Sequence, residues 1–342
     1  MKRALAWLRI AGALGILAVL VWQLGSAAFL DGLGRISAVG VLAALAIGLT
    51  TTVFSAGRWQ IVATRLGLRL RLRTAVADYY RALFLNGVLP AGVLGDVHRA
   101  VQHGRDSGDV PRGVRAVVLE RTAGQVVLIA SAVTVVLASP GVVPAAFREV
   151  VVGAGVVVVL AAVAGLVVGR LLGGRWIHSP SKWRRGFAVT LADVRLGLLT
   201  RETWPSVGFL SVATLAGHLA LFVVAARVAG VGAPVWQLVP LMVLALLAMG
   251  LPLNVGGFGP REGVCALLFG AAGLGAAQGV TVAVVYGVLT LVASLPGAGV
   301  LLVRSVAAVR APHADVPAPR MAADAGDRIE SDVAADIVSG HG

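Results

Sequence analysis

The sequence contains a single cysteine and few charged side chains of either sign. One cysteine excludes an intrachain disulfide and any metal site that is built from several thiolates. The sequence also lacks a dinucleotide-binding fingerprint, a Walker A phosphate loop and a pair of histidines spaced as metal ligands. We therefore expect no cofactor and no resident metal ion, and we predict that Cys265 is a small buried apolar residue.

Long apolar segments dominate what is present. Of the 342 residues, 58% are hydrophobic, 13% are charged and 44 are glycine, which is too apolar for an ordinary soluble domain. We predict an all-α polytopic membrane protein with about 6–8 transmembrane helices, because a helix needs roughly 20 apolar residues to cross the hydrocarbon. The continuous candidate spans are 10–30, 36–56, 116–138, 150–169, 206–229 and 279–303.

Almost all of the positive charge is arginine. The formal net charge is +13, although the only lysines are Lys2 and Lys182. A strongly basic soluble protein would suggest nucleic acid as a partner. Here the arginines lie in loops beside apolar spans, where the positive-inside rule and anionic lipid headgroups explain them. We expect anionic membrane lipids and no nucleic acid as partners, a bacterial-type plasma (inner) membrane, and cytoplasmic N- and C-termini.

Three segments outside the spans have distinct patterns. Residues 311–342 are rich in Pro, Ala and Asp, so we predict a disordered cytoplasmic tail after a transmembrane domain formed by residues 1–310. A cytoplasmic loop holding Arg58 and Arg81 includes residues 66–73, where Leu and Arg alternate as in an extended surface segment. A helix in the headgroup plane is predicted from apolar residues at helical spacing: Trp183, Phe187, Leu191, Val194 and Leu198.

Two further apolar stretches, 76–95 and 235–276, are interrupted by Pro/Gly-rich segments with the same spacing. Pro-x4-Gly-x3-Arg occurs once in each. In a bilayer, a broken helix survives only where other protein or a watery cavity satisfies its backbone. We therefore predict that both breaks mark a site. The residues of the break motifs are Asn86, Pro90, Gly95, Pro252, Gly256, Gly257 and Gly259.

The charge of the flanking loops orients the two breaks in opposite directions. The first is entered from the cytoplasmic side and the second from the outer side, which predicts re-entrant hairpins in an inverted repeat. Interrupted segments at matching positions of such a repeat indicate a transport site near the midplane. The alternative is that 235–253 and 263–278 are two short full spans and that the motif is only the turn between them.

Charged residues near membrane depth are candidates for function because they are costly to insert. We expect Asp96 to cap a new helix with Arg99 in its first turn, and Pro260 and Glu262 to begin another. The arginines would bind a phosphate-bearing headgroup, while the acids orient them or bind an amine or proton. Alternatively, each acid–arginine pair neutralises itself and stabilises the break. The predicted substrate-binding residues are Asp96, Arg99, Glu120, Arg121, Arg261 and Glu262.

Some of these candidates have simpler explanations. Glu120 and Arg121, at the cytoplasmic mouth of the third span, could equally form a structural ion pair or anchor the interface. His218 is expected to be a hydrogen-bonded interior histidine rather than a proton relay. Asn86 and Asn254 could satisfy backbone groups freed by the breaks.

At these residues the sequence resembles the flippase-like transmembrane domain shared by bacterial lysylphosphatidylglycerol synthase/flippases and their stand-alone relatives. The likeness covers about residues 5 to 305, and Leu94 departs from it where relatives often have a second glycine. It is carried by Asn86, Leu89-Pro90, Gly95-Asp96, Arg99, Glu120-Arg121, Leu251-Pro252, Gly256 to Gly259 and Arg261-Glu262.

The resemblance implies a helical domain that moves phospholipid, or a related polar lipid, between leaflets. In the two-part members a cytosolic acyltransferase-like domain attaches lysine to phosphatidylglycerol. The short polar segment after the last span makes that activity doubtful here, and we expect a translocator rather than an enzyme. The alternatives are a membrane-embedded transferase for a lipid-phosphate substrate, with Asp96 or Glu262 as base, and an ion-coupled carrier for a soluble anion.

Overall fold

The computed structural model describes residues 34, 36–89, 92–139, 141, 143–177, 181–250 and 259–310. Over these residues the regular structure is entirely helical, as predicted from composition. The candidate span at 10–30 and the tail at 311–342 lie outside the described residues. So do Asn254 and four residues of the break motifs, Pro90, Pro252, Gly256 and Gly257.

The helices follow one another with short connections. Their bounds are α1 Ala38–Arg65, α2 Leu72–Val88, α3 Leu94–Asp106, α4 Val110–Ala138, α5 Ala145–Ile177, α6 Lys182–Leu198, α7 Trp204–Val228, α8 Val235–Met249, α9 Pro260–Ala271, α10 Ala276–Ser294 and α11 Pro296–Arg310. The described residues up to Val300 form one compact unit.

Five helical segments in the described part of the chain are long and apolar enough to cross a membrane. They are Ala38–Arg65, Val110–Ala138, Ala145–Gly165, Trp204–Val228 and Ala276–Arg304. Each overlaps a predicted span, so the apolar runs alone located these helices. The exposed surface of α5 carries Val156, Val157, Val159 and Leu160, a contiguous apolar face that suits lipid rather than water.

Helices α1, α7 and α10 pack closely at the centre of the unit. Small residues permit this approach: a Cβ at Gly48 of α1 would lie 2.6 Å from the Cβ of Ala293 in α10, and one at Gly217 of α7 would overlap Thr51. Membrane helices associate through such small residues because lipid offers no hydrophobic driving force between them. The central helices thereby bring their polar side chains close together.

The two patterned segments have the predicted backbone conformation over most of their length. Leu66, Leu68 and Leu70 are buried and Arg69 is exposed, so the period-two alternation marks a non-helical segment before α2 begins. In α6, Val194 and Leu198 pack against the core while Trp183 is 90% exposed at the other end of the helix. The location of both segments at the membrane surface stays a prediction.

The placement of Arg58 and Arg81 in a cytoplasmic loop was wrong. Arg58 lies within α1, which continues to Arg65, and only 5% of the residue is exposed. Arg81 lies within α2 and forms a buried ion pair with Asp78 at 3.1 Å. A buried acidic partner makes an arginine tolerable inside an apolar helix, and the positive-inside rule does not detect such partners.

Candidate functional site

The first break is held together by Asn86. Helix α2 ends at Val88 and α3 begins at Leu94. The Oδ1 atom of Asn86 accepts a hydrogen bond from the backbone N–H of Gly95 at 2.7 Å, and its Nδ2 donates to Asp96 at 2.8 Å. The asparagine therefore satisfies a backbone group freed by the break, as expected, and it also positions the acid.

Glycine is required at position 95 because α2 and α3 approach each other there. A Cβ on Gly95 would overlap the backbone of Ala82. The helix begins earlier than the sequence predicted. Val93 is the N-cap, and Asp96 lies in the first turn rather than at the cap. Arg99, expected in the first turn, is one turn further along.

Glu120 is fully buried in α4 and accepts hydrogen bonds from three other helices. Arg58 of α1 donates from Nε and Nη2, at 3.0 and 2.5 Å. Tyr79 of α2 donates at 3.2 Å and Arg99 of α3 at 3.1 Å. A buried carboxylate is stable only when its lone pairs are used in this way. Glu120 therefore fixes the relative positions of α1, α2, α3 and α4.

Asp96 completes the group that we call the arginine–carboxylate cluster, formed by Arg58, Asp96, Arg99, Glu120 and Arg121. The carboxylate of Asp96 accepts from Arg99 Nη2 at 2.9 Å and from Arg121 Nη2. Four of the predicted site residues thus meet in one place. Glu120 and Arg121 both form ion pairs within the protein, Glu120 with Arg58 and Arg99, and Arg121 with Asp96.

Arg99 is enclosed by aromatic rings. Its Cζ lies 4.4 Å from the ring centroid of Trp59 and 4.2 Å from that of Tyr79, and its side chain is 0% exposed. Cation–π contacts of this kind stabilise a guanidinium that has lost water. Arg99 joins the carboxylates of Asp96 and Glu120 from within the protein and is remote from solvent.

The second break restarts a helix in a similar way. Gly259 is the N-cap of α9 with φ at +116°, and Pro260 occupies the first turn as predicted. The Oε2 of Glu262 accepts from the backbone N–H of Gly259 at 2.7 Å, which satisfies a donor at the helix start. Arg261 donates to Glu262 from Nε at 3.0 Å and from Nη2. This arginine pairs with its own neighbour, whereas Arg99 joins two separate acids.

Aromatic and imidazole groups surround Arg261. Its Cζ lies 5.3 Å from the ring centroid of Tyr286, whose ring stacks on Phe222 at 4.3 Å. The hydroxyl of Tyr286 lies 3.3 Å from Nδ1 of His218. His218 is therefore the hydrogen-bonded interior histidine that the sequence predicted.

Two neighbouring cavities lie between the break regions. The large cavity has a volume of about 320 Å³. Its lining includes Arg58 of α1, Arg121 of α4 and, from the first break region, Asn86. The small cavity has a volume of about 90 Å³ and is lined in part by Arg261. Both are bordered by the same set of residues: Thr51, Thr52, Leu83, Gly87, His218, Met249 and Thr290. These shared walls join the surroundings of Arg121 to those of Arg261.

Sequence reasoning missed several residues of this site, above all Arg58, Trp59, Tyr79, Ser211 and Tyr286. Ser211 accepts a hydrogen bond from Arg58 Nη1 at 2.9 Å. A signal for Arg58 was available in α1. Thr51, Ser55 and Arg58 recur at intervals of four and three residues, which places them on one side of a helix. This polar stripe indicates that the helix extends through Arg58 and does not end before it.

The fold and the site together define a polytopic helical membrane protein with a polar, arginine-containing interior. The family model described as the lysylphosphatidylglycerol synthase TM region matches residues 6–297, and the chain belongs to that family. This confirms the resemblance carried by the break motifs. Comparison with curated proteins gave no match. The chain is thus a membrane protein related to lipid-modifying and flippase-like proteins.

Proposed function

We propose that this protein translocates phospholipid, or a related polar lipid, between the two leaflets. The observation that carries the proposal is the pair of adjoining cavities, one bordered by Arg121 and the other by Arg261. Cavities that present arginine and hydroxyl groups inside apolar helices would let a headgroup cross while its acyl chains stay in lipid. The two arginines are the groups that bind its phosphate, because a guanidinium donates to phosphate oxygens in a bidentate manner.

The other predicted residues position these arginines. Asp96 binds Arg121, and Glu262 binds Arg261, so each acid orients a guanidinium. Glu120 and Arg99 hold the first break against α1 and α4 through their buried ion pair at 3.1 Å. Substrate binding therefore belongs to Arg121 and Arg261, and the acids act through them.

The lengths of the broken helices support two re-entrant hairpins in an inverted repeat. Helices α2 and α3 have 17 and 13 residues, and α8 and α9 have 15 and 12. At about 1.5 Å per residue these are roughly 18–26 Å long, short of the ~30 Å hydrocarbon core. Together with the repeated Pro-x4-Gly-x3-Arg spacing, the lengths support half-membrane segments that enter from opposite sides.

The arginine-rich loops extend the proposal to topology and location. We assign the N- and C-termini to the cytoplasm of a bacterial-type plasma membrane, with anionic lipids concentrated near the basic loops. Residues 1–310 form the translocating domain, and residues 311–342 follow it as a tail in the cytoplasm.

We further propose that the protein performs no covalent chemistry. In the described residues, the carboxylates of Asp96, Glu120 and Glu262 each accept from a guanidinium, so none is placed as a free base. A general base must be able to take a proton from its substrate. Mass spectrometry of lipids incubated with the pure protein checks this, since a covalently modified lipid would favour the transferase alternative.

Leaflet exchange in liposomes tests the proposed function. Purified protein is reconstituted with tail-labelled phospholipid, and a membrane-impermeant quencher reports how much label reaches the outer leaflet. We expect rapid exchange that slows about tenfold or more in Arg121→Gln and Arg261→Gln, since a hydrogen bond to a charged group contributes about 1.5–3 kcal/mol. Arg105→Gln removes an exposed arginine of α3 and is the matched control. Exchange no faster than in empty liposomes refutes the function.

A further inference from the structure

The charged residues that line the two cavities have only one sign. Within the described residues, Arg58 and Arg121 line the large cavity and Arg261 lines the small one. No aspartate or glutamate from this part of the chain belongs to either lining. A headgroup in the cavities therefore meets guanidinium groups and no carboxylate of the described residues.

The three acids lie behind the arginines and are already occupied. Glu120 accepts hydrogen bonds from Arg58, Tyr79 and Arg99. Asp96 accepts from an asparagine and two arginines, while Glu262 accepts from a backbone N–H and an arginine. An ammonium group entering the cavity would have to displace one of these fixed donors before it could pair.

Arg121 retains donor capacity toward the cavity. Its Nη2 binds Asp96, its side chain is 41% exposed, and its buried Nε has no hydrogen-bond partner among the described residues. A guanidinium has five N–H donors, so Arg121 can remain paired with Asp96 and still bind phosphate oxygens. The cluster as a whole holds three arginines and two acids, which leaves one positive charge for a single anion to neutralise.

Hydroxyl groups lie among the apolar side chains that line the two cavities. Thr51 and Thr52 border both cavities, and Ser55 and Thr214, 3.4 Å apart, border the large one. Hydroxyls both donate and accept, so they suit a headgroup that carries hydroxyls of its own. They carry no negative charge that would balance an ammonium group.

We propose that the cavities select a phosphodiester monoanion whose headgroup carries hydroxyl groups, and reject headgroups with a net positive charge. This inference rests on the proposed function and adds the chemical class of the substrate. Under this proposal, an aminoacylated lipid with a net positive charge is a poor substrate. The shared chemistry is a glycerol-type phosphodiester, either as a lipid headgroup or as a free soluble diester.

Paired exchange measurements test the charge selection. Liposomes holding the full-length protein receive tail-labelled phosphatidylglycerol in one set and its lysyl ester, which is a net cation, in another. We expect the anionic lipid to exchange at least about tenfold faster, because the ammonium groups of the lysyl ester meet guanidinium charge and find no carboxylate of the described residues in the cavity linings. Arg121→Gln should lessen this preference, Arg121→Lys should retain part of it, and Arg105→Gln should leave it unchanged. All variants must elute as monodisperse protein in detergent.

Equal or faster exchange of the lysyl ester overturns the charge selection and leaves the translocator function standing. If neither lipid exchanges, the proposed translocator function is refuted. The charge selection is then tested by lipid binding alone. Thermal unfolding in detergent is then followed with short-chain phosphatidylglycerol and with its lysyl ester. Stabilisation by the anion alone supports the selection, and stabilisation by both, by the cation alone or by neither overturns it. Uptake of labelled soluble glycerophosphoglycerol without lipid exchange would keep the selection and identify the free diester as its source.

Discussion

Glu120 and Arg58 form the closest buried contact between α4 and α1 in the site, with Arg58 Nη2 2.5 Å and Nε 3.0 Å from the same carboxylate oxygen. Because Arg99 and Tyr79 bind this carboxylate as well, one side chain unites four helices. The proposed substrate-binding residue Arg121 follows Glu120 directly in the chain. The position of Arg121 therefore depends on this buried contact.

We predict that Glu120→Gln strongly destabilises the protein. The change removes the negative charge that faces Arg58 and Arg99, and breaking a buried pair from one side costs about 3–5 kcal/mol. Thermal unfolding in detergent should show a clearly lower midpoint. The double variant Arg58→Met/Glu120→Gln should lose less stability than the two single changes added together, because the orphaned charge of Arg58 is absent. Additive losses would mean that the pair is not coupled.

The exposed ion pair between Arg65 and Glu202, at 2.8 Å, provides the comparison. Exposed pairs contribute about 0–1 kcal/mol because water solvates each partner well when the other is removed. Glu202→Gln should therefore shift the unfolding midpoint little and leave lipid exchange unchanged. A loss as large as that of Glu120→Gln would show that the assay does not distinguish buried from exposed pairs.

We predict that Gly95→Ala impairs both folding and exchange. The added Cβ would overlap the backbone of Ala82, so α2 and α3 must separate and the contact of Asn86 with Asp96 must lengthen. Gly208→Ala in α7 is the matched control, because a Cβ there meets nothing within 4 Å. Alanine also favours helix over glycine by about 1 kcal/mol, so the control should be neutral or stabilising. Unfolding midpoints and exchange rates of both variants measure the difference.

Asn86→Leu should leave the helices in place but weaken the first break. It removes the acceptor for Gly95 N–H and the donor to Asp96, and an unsatisfied buried polar group costs about 1–3 kcal/mol. We expect slower exchange together with a moderate loss of stability. Leu83→Ile, a nearby apolar change on α2 that also borders the cavities, serves as the control. Unchanged exchange in Asn86→Leu would show that Asp96 is held by its arginines alone.

Thiol labelling can establish whether the large cavity contains water. Cys265 is buried and free, so the wild-type protein should react with a charged maleimide only after denaturation. In a Cys265→Ala background, Thr214→Cys places a thiol on the lining of the large cavity and should react in the native state. Val282→Cys, fully buried in α10, is the control that should stay unreactive. The opposite pattern of labelling would contradict a hydrated cavity at Thr214.

The apolar runs and the charged residues at membrane depth were sufficient to predict much of the described part of the protein. Run length located the candidate spans of the described residues, because spanning helices need a fixed number of apolar residues. Charge at membrane depth selected Asp96, Arg99, Glu120 and Arg121 before their contacts were known. The break chemistry placed Pro260 and Glu262 at the start of α9. These features depend on local composition, which the sequence shows directly without any knowledge of tertiary contacts.

Only the tertiary structure decided which charges meet. Arg58 and Glu120 are separated by 62 residues, and no local pattern specifies that they share a hydrogen bond. The same packing encloses Arg99 between Trp59 and Tyr79, and leaves Arg121 and Arg261 beside the cavities. The sequence determined that arginines lie at the breaks, whereas the contacts between helices determined that Arg99 and Arg261 are buried while the side chain of Arg121 is 41% exposed. The physical reason is that desolvation and pairing depend on three-dimensional neighbours, which residue spacing along one chain does not fix.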